Sequence, residues 1–288
     1  MSRRLVPLLS TMAEARQVLL LDNGSLEPAA TLSLRRIAAD LGCLLGREVV
    51  PVSLLHSHKV PAAELGGVPG EIFEPALKRR LAAGQRSFDI LPLFFGPSGA
   101  ITEYLPERVA QLRLSWPELD LRVAPYLAEK GASTGGPLVS LLEDSVRALL
   151  DGTGLQRVIL VDHGSPRPEV TAVRDVVAQQ LQERLRGSAR SLTAASMERR
   201  AGAEYDFNEP LLERALRALP EGPQELILAL LFISPGRHAG PGGDIVQICE
   251  AACAERPGLR VRITPLVGEH PGLLSLLAQR LGELSSCA

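Results

Sequence analysis

The second half of the sequence repeats the first. Four short segments recur in the same order, each displaced by between 135 and 140 residues. The matched pairs are 18–28 with 158–168, Glu74-Pro75 with Glu209-Pro210, Gly96-Pro97 with Ser234-Pro235, and 117–125 with 257–265. Because self-similarity at a nearly constant offset indicates a duplicated unit, we predict two copies of one fold, in residues 1–151 and 155–288. The turn-forming sequence DGTG at 151–154 is the predicted linker between them.

Each copy alternates buried strands with amphipathic helices. The unbroken apolar tetrads 18–21 and 158–161 are typical of strands that are covered on both faces. Helices are predicted after them, at 29–45 and 170–185, where apolar side chains recur near helical spacing. The further predicted strands are 89–95, 121–126, 226–233 and 261–267. This alternation predicts an α/β fold of two similar lobes, each a parallel sheet flanked by helices, with a ligand cleft between them at the carboxyl ends of the strands.

Composition excludes several classes of protein. The hydrophobic content of 45% excludes a disordered chain, and 31 basic against 33 acidic residues give no electrostatic basis for binding nucleic acid or an anionic membrane. The longest apolar run, 226–233, is too short to cross a bilayer, and the first residues make a poor signal peptide. We therefore expect a cytoplasmic protein with a small-molecule partner. It can act as a monomer because both lobes lie in one chain.

Most cysteines and histidines of this chain are predicted to have structural roles. No cysteine pair has the spacing of a zinc or iron–sulfur site, so we expect free thiols and no cluster, with Cys249 and Cys253 packed on one helix face. His270 precedes a predicted helix start. His56 and His58 are expected in an exposed loop, although their spacing would put them on one face of a strand, where they could face the cleft.

The remaining two histidines mark the place where the copies differ most. His163 directly follows the buried strand of the second copy, and His238 lies in a loop rich in Gly and Pro after the strand 226–233. Asn23 and Ala100 stand at the corresponding positions of the first copy. A single histidine after a strand is more often a turn or core residue than a ligand. The joint absence of both from one copy favours a paired function in the second copy.

Three elements of the second half resemble the CbiX/SirB class of sirohydrochlorin chelatases. They are VILVDHGS at 158–165, LFISPGRHAGPGGDI at 231–245 and TPLVGEHPGLLSLLAQRL at 264–281. The resemblance implies two α/β lobes around a cleft, the first of them a degenerate copy, and insertion of a divalent metal into the tetrapyrrole sirohydrochlorin without ATP, on the route to cobalamin or siroheme. It also implies that His163 and His238 are metal ligands and proton acceptors. Asp162 and Pro166 stand where the family usually has Gly and Arg, with Arg167 one residue later.

The metal implied by this resemblance is a substrate. Neutral imidazole suits Co²⁺, Fe²⁺ and Ni²⁺, among which the sequence does not discriminate. Glu198 is a candidate third ligand, because the first copy has Leu55 at the corresponding place. The alternative for Glu198 is a surface carboxylate paired with Arg199.

The tetrapyrrole implied by the resemblance is rich in carboxylates, which calls for guanidinium groups and backbone donors in the cleft. The candidate substrate-binding residues are Ser165, Arg167, Arg199, Arg237, Gly236 and Gly240. No nucleotide is expected, because neither a phosphate loop nor a GxGxxG motif is present. Two alternatives remain: a noncatalytic protein that binds a tetrapyrrole or metal, and a flavodoxin-like sensory or nucleotide-binding module, which the α/β pattern alone allows.

Overall fold

The computed structural model describes residues 16–128, 136–153 and 155–286, which contain two parallel four-stranded sheets. The first lobe consists of β1 (Gln17–Asp22), α1 (Pro28–Leu45), β2 (Val49–Ser53), α2 (Phe73–Ala82), β3 (Ser87–Pro92), α3 (Leu105–Ser115), β4 (Asp120–Val123) and α4 (Pro137–Arg147). The second consists of β5 (Arg157–Asp162), α5 (Pro168–Arg184), β6 (Ser191–Ser196), α6 (Leu212–Arg217), β7 (Gln224–Leu230), α7 (Asp244–Glu255), β8 (Leu259–Ile263) and α8 (Leu273–Ser286). The strand orders, β2-β1-β3-β4 and β6-β5-β7-β8, are equivalent, and the predicted α/β fold of two similar lobes is confirmed.

Strand register shows the same duplication. Gln17 of β1 pairs with Phe88 of β3, and Arg157 of β5 pairs with Leu226 of β7. The offset is therefore 140 residues for the first strands of the two lobes and 138 for their third strands. These are the offsets found in the sequence for the segments that follow these strands.

One predicted match between the copies is wrong. Ile72 and Leu211 are equivalent, because each forms a parallel bridge to the last residue of the outer strand in its lobe. This equivalence places Glu209-Pro210 opposite Gly70-Glu71, not opposite Glu74-Pro75. Glu74-Pro75 lies in the first turn of α2, where Pro is tolerated, whereas Glu209-Pro210 precedes α6. The two dipeptides share composition without sharing a structural position.

Two strands, β2 and β6, are not predicted from the sequence. Both lie at an edge of their sheet. β2 contains Pro51, which an edge strand tolerates because one of its sides has no ladder hydrogen bonds. β6 reads SLTAAS and has no apolar run. The strand predicted at 226–233 ends at Leu230 and that at 89–95 ends at Pro92, because the chain leaves the sheet there to form loops.

The last helix of each lobe packs on the other lobe. α4 contacts α5 and β7 of the second lobe, and α8 contacts α1 and β3 of the first. Leu138 and Leu142 of α4 and Leu276 and Leu277 of α8 belong to one buried apolar cluster that includes residues from both sheets. The two sequence copies therefore exchange helices and share a core. The domain limits near 151–155 stay a prediction.

The structure bears on the expectations for membrane helices and for two of the cysteines, whereas the other expectations from composition stay predictions. In the part of the chain that the structure describes, no helix has the length and apolarity needed to cross a membrane. Cys249 is buried, with Cys253 partly buried beside it, and burial raises the pKa of the Cys249 thiol to about 12. The expected absence of an iron–sulfur cluster stays a prediction, since Cys287 lies outside the described residues. The cytoplasmic location and the monomeric state likewise stay predictions.

Candidate metal centre

Two loops at the carboxyl edge of the second sheet bring His163 and His238 together. β5 and β7 are neighbours, so the loops that follow them begin side by side. After His163 the chain turns at Gly164, whose φ of 89° is a left-handed conformation that favours glycine. The imidazole rings of His163 and His238 lie with their centroids 4.7 Å apart and their planes at 71°.

Glu198 joins this pair from the loop after β6, the other neighbour of β5. Its backbone N–H donates to the carbonyl oxygen of His163 at 3.2 Å, the same contact that Leu55 makes with Asn23 in the first lobe. Its Oε1 atom is 3.5 Å from Nε2 of His163. One ligand atom from each of His163, Glu198 and His238 lies within 4.8 Å of the other two. Metal bonds of about 2.0–2.2 Å separate two ligands by about 3–4 Å, so small side-chain rotations close this triangle on one ion.

Hydrogen bonds set the tautomer of both histidines. Nδ1 of His238 lies 2.7 Å from a carboxylate oxygen of Asp244, the first residue of α7. Nδ1 of His163 lies 3.1 Å from the carbonyl oxygen of Gly164. Since both partners only accept, each neutral ring carries its proton on Nδ1 and leaves the lone pair of Nε2 free. Two nitrogen lone pairs and a carboxylate therefore converge, an arrangement that favours a cation.

Asp244 has no predicted role from the sequence. Asp244→Asn is expected to weaken Co²⁺ binding by about 10–100-fold, because the neutral amide holds the His238 ring less firmly and lowers its basicity as a ligand. Glu255→Gln, which removes an exposed carboxylate at the other end of α7, is the matched control and should bind Co²⁺ normally. Isothermal titration with Co²⁺ measures both. Equal affinities for the two variants would contradict the role assigned to Asp244.

The centre lies on the wall of a cleft between the lobes. This cleft has a volume of about 310 Å³. The second lobe contributes His163 and the loop 232–239, and the first lobe contributes Leu93 and the segment 22–25, which includes Asn23, the counterpart of His163. Equivalent loops of the two copies thus line one cleft. His163 and Glu198 are each about half exposed, at 49% and 57% of the side chain, so an ion held there can be exchanged.

The three predicted arginines form different ion pairs. Arg199 is held within its own loop by the carboxylates of Glu209 and Asp206, so Glu198 faces His163 while Arg199 pairs elsewhere. Arg167 pairs across the lobes with Glu103 at 2.5 Å. Arg237 lines the cleft, and its side chain is 76% exposed. Its Nε atom lies 3.7 Å from Oδ2 of Asp244.

The other predicted substrate-binding residues shape the loops. The Ser165 hydroxyl accepts from the N–H of Arg167 at 3.0 Å, just before α5. Gly236 lines the cleft. A side chain at Gly240 would place Cβ 2.9 Å from the carbonyl oxygen of Gly236, so the loop that carries His238 folds closely on itself there.

The remaining three histidines lie outside the centre. His270 accepts from the N–H of Gly272 at 3.1 Å, which agrees with its predicted structural role before α8. His56 and His58 lie at a short 3₁₀ turn and not in a strand, so the alternative that both face the cleft from a strand is wrong. His58 is exposed and lines a separate cavity of about 600 Å³ inside the first lobe.

The first lobe contains a buried carboxyl group that no cation neutralises within the described part of the chain. Asp22 stands at the position of Asp162, and burial raises its pKa to about 6. Because this pKa exceeds the ordinary carboxyl value, ionisation destabilises the fold, and the penalty grows as the pH rises from about 4 through 6. Asp22→Asn is therefore expected to raise the free energy of unfolding by about 1–2 kcal/mol at pH 7 and by much less at pH 4. Urea unfolding at both pH values measures this effect. The exposed Asp40→Asn should show no such difference, and a pH-independent effect of Asp22→Asn would contradict the assignment.

Comparison with known proteins agrees with this architecture. The CbiX family profile matches residues 157–284. SirB from Bacillus subtilis with Fe³⁺ is 13% identical, with a TM-score of 0.70 over 93% of this chain and 95% of that one. SirB from B. subtilis subspecies spizizenii in complex with cobalt is 15% identical, with a TM-score of 0.66 over 94% and 96%.

A third solved structure extends the likeness to CbiX itself. The CbiX structure described as the terminal enzyme of siroheme biosynthesis in denitrifying bacteria is 20% identical, with a TM-score of 0.59 over 93% of this chain and 99% of that one. No curated protein sequence matches this chain significantly. The second half of the chain therefore carries the sequence pattern of the CbiX family, and the whole chain shares the fold of these solved structures.

Proposed function

We propose that this protein is a sirohydrochlorin chelatase, which inserts Co²⁺ or Fe²⁺ into sirohydrochlorin without ATP and so serves cobalamin or siroheme biosynthesis. The observation that carries the proposal is the convergence of His163, Glu198 and His238, of which the two histidines line the cleft between the lobes. That these residues lie in the lobe matched by the CbiX family supports the same activity. The solved SirB structures, with Fe³⁺ and with cobalt, support an iron or cobalt substrate.

The proposed centre holds the metal loosely. Two neutral imidazoles and one carboxylate leave further coordination positions open, and the half-exposed side chains leave room for a second set of ligands. An ion in such a site can form bonds to pyrrole nitrogens before its bonds to the protein are all broken. A closed four-ligand site of the structural kind would retain the ion instead.

The same residues can balance the protons of the reaction. When a metal enters the ring, two pyrrole N–H protons leave as the metal–nitrogen bonds form. Departure of the ion from the protein frees the Nε2 lone pairs of His163 and His238, and each can then accept one proton. The carboxylate of Asp244, 2.7 Å from Nδ1 of His238, stabilises the imidazolium that results.

The cleft offers both apolar and cationic surface to a tetrapyrrole. Phe232, Ile233 and Pro235 line it and provide apolar contact for a flat ring. Arg237 is the exposed guanidinium on this wall and is assigned to a substrate carboxylate. Arg167 reaches a second carboxylate when it exchanges Glu103 for substrate. Arg199, held by Glu209 and Asp206, is assigned to its own loop.

The experiment is anaerobic incubation of the purified protein with sirohydrochlorin and Co²⁺, Fe²⁺ or Ni²⁺, with metal insertion followed by visible absorbance of the tetrapyrrole. We expect insertion well above the spontaneous rate, and the relative rates rank the metals. Tight binding of sirohydrochlorin or Co²⁺ without acceleration would overturn the proposal and support a noncatalytic binding protein instead. A chelator added to the assay in excess over the metal should abolish the reaction.

A further inference from the structure

A buried side chain clamps the loop that carries His163. Asn208, fully buried, lies in the segment between β6 and α6. Its Nδ2 donates to the carbonyl oxygen of Ser165, and its Oδ1 accepts from the backbone N–H of the same residue, both at 2.9 Å. The Thr171 hydroxyl donates to the same Oδ1 at 3.0 Å. Asn208 therefore holds both polar backbone groups of Ser165, two residues after His163.

The clamp acts on the peptide group that orients the imidazole. The N–H of Ser165 and the carbonyl of Gly164 belong to one planar peptide unit. Oδ1 of Asn208 accepts from the N–H side of this unit, and its carbonyl side accepts from Nδ1 of His163 at 3.1 Å. The plane of this peptide thus links the Asn208 side chain to the direction in which Nε2 of His163 points.

A buried arginine, Arg174, holds the backbone of Asn208. Arg174 is 2% exposed, and its guanidinium donates to the carbonyl oxygen of Asn208 at 3.0 Å and to the Ser196 hydroxyl at 2.5 Å. Ser196 donates in turn to the Asp162 carboxylate at 2.6 Å. Asp162 also accepts from the N–H of Gly164 at 3.1 Å. The network therefore fixes the residues on both sides of His163. Its several acceptors offset the free-energy cost of burying the charge of Arg174.

The first lobe provides an internal comparison. It retains the counterparts of the scaffold, with Asp22, Ser53 and Thr31 in the places of Asp162, Ser196 and Thr171. At the clamp positions it has Leu34 and Pro69 in the places of Arg174 and Asn208. The buried hydroxyl of Thr31 has no hydrogen-bond partner within the described residues. The lobe that lacks the histidine thus also lacks the clamp.

We infer that Asn208 is a positioning residue for metal capture, which holds Nε2 of His163 toward His238 and Glu198 through the peptide between Gly164 and Ser165. Arg174 acts one step further away by holding the backbone of Asn208. The inference rests on the proposed function, since it concerns how the same centre is kept ready for the ion.

Cobalt binding tests the inference without the tetrapyrrole. Asn208→Ala is expected to weaken Co²⁺ binding by about 10-fold or more and to change the visible absorption of bound Co²⁺ at saturation, because the His163 ring loses its fixed direction. Asn208→Asp keeps an acceptor for the Ser165 N–H but loses the donor to the Ser165 carbonyl oxygen, so it should restore only part of the affinity and the spectrum. Thr31→Val changes the corresponding buried position of the first lobe, where the hydroxyl has no hydrogen-bond partner within the described residues, and should leave both unchanged.

Each outcome decides the inference. If Asn208→Ala folds and binds Co²⁺ with the wild-type affinity and spectrum, the inference is wrong. If it does not fold, Asn208→Ser takes its place, because its short hydroxyl group fills part of the space without reaching the Ser165 peptide, and the same two results apply. A wild-type protein that binds Co²⁺ but inserts no metal would overturn the proposed function alone. Normal insertion together with unaffected Asn208 variants would overturn the inference alone.

Discussion

Replacing His163 or His238 by alanine is expected to lower both Co²⁺ affinity and the rate of metal insertion by at least about 100-fold, because each change removes a coordinating nitrogen. Loss of an outer hydrogen-bond partner already costs up to about 100-fold in metal sites, and a direct ligand should cost no less. The double variant should be little worse than either single one, since one imidazole and one carboxylate cannot hold the ion by themselves.

His58→Ala is the matched control for these variants. It removes an exposed imidazole that lines the separate cavity of the first lobe. Its Co²⁺ affinity and its insertion rate should equal those of the wild type, whereas both centre variants should bind sirohydrochlorin and leave it without metal. Titration with Co²⁺ and the absorbance assay measure the two effects separately. Wild-type insertion by either centre variant would show that the reaction takes place elsewhere.

The position of the two histidines could be predicted because it depends on the central strands. β5 and β7 contain the unbroken apolar runs 158–161 and 226–230, and the carboxyl ends of adjacent parallel strands meet at one edge of a sheet. His163 directly follows β5, and the loop that carries His238 begins where β7 ends, so both side chains are expected near the same edge of the sheet. Glu198 follows the edge strand β6, which has no such run, and its candidacy came from the comparison with Leu55 in the first copy.

The helix exchange and the clamp could not be predicted in the same way. Periodicity identifies an amphipathic helix but not the sheet that it covers, so the packing of α4 on β7 and of α8 on β3 is invisible in sequence. Asn208 lies near the end of a long connection whose register no strand or helix period sets. Arg199 stands beside Glu198 in sequence yet pairs with Glu209 and Asp206, because that same connection folds back on itself.

A substitution at Gly164, in the sharp turn after His163, is expected to lower both the stability of the fold and the affinity for Co²⁺. A side chain at Gly164 would place Cβ 1.9 Å from the carbonyl oxygen of Glu198, and the φ of 89° is unfavourable for any residue with a Cβ. Gly164→Ala is therefore expected to destabilise the fold by about 2–4 kcal/mol and to push the Glu198 backbone away from His163. The three ligand atoms then no longer converge, so Co²⁺ affinity should fall at least about 10-fold even below the unfolding temperature.

The first lobe supplies a control with the same defect and no metal ligand. Gly24 has a φ of 83°, and its Cβ would lie 1.7 Å from the carbonyl oxygen of Leu55. Gly24→Ala should lower the thermal stability by a similar amount, because the local geometry is the same, yet leave Co²⁺ affinity unchanged. Differential scanning calorimetry and cobalt titration at low temperature separate the two effects. A similar loss of Co²⁺ affinity in both variants would mean that general destabilisation weakens binding. An effect in Gly164→Ala alone would tie the ion to the close approach of the two loops in the second lobe.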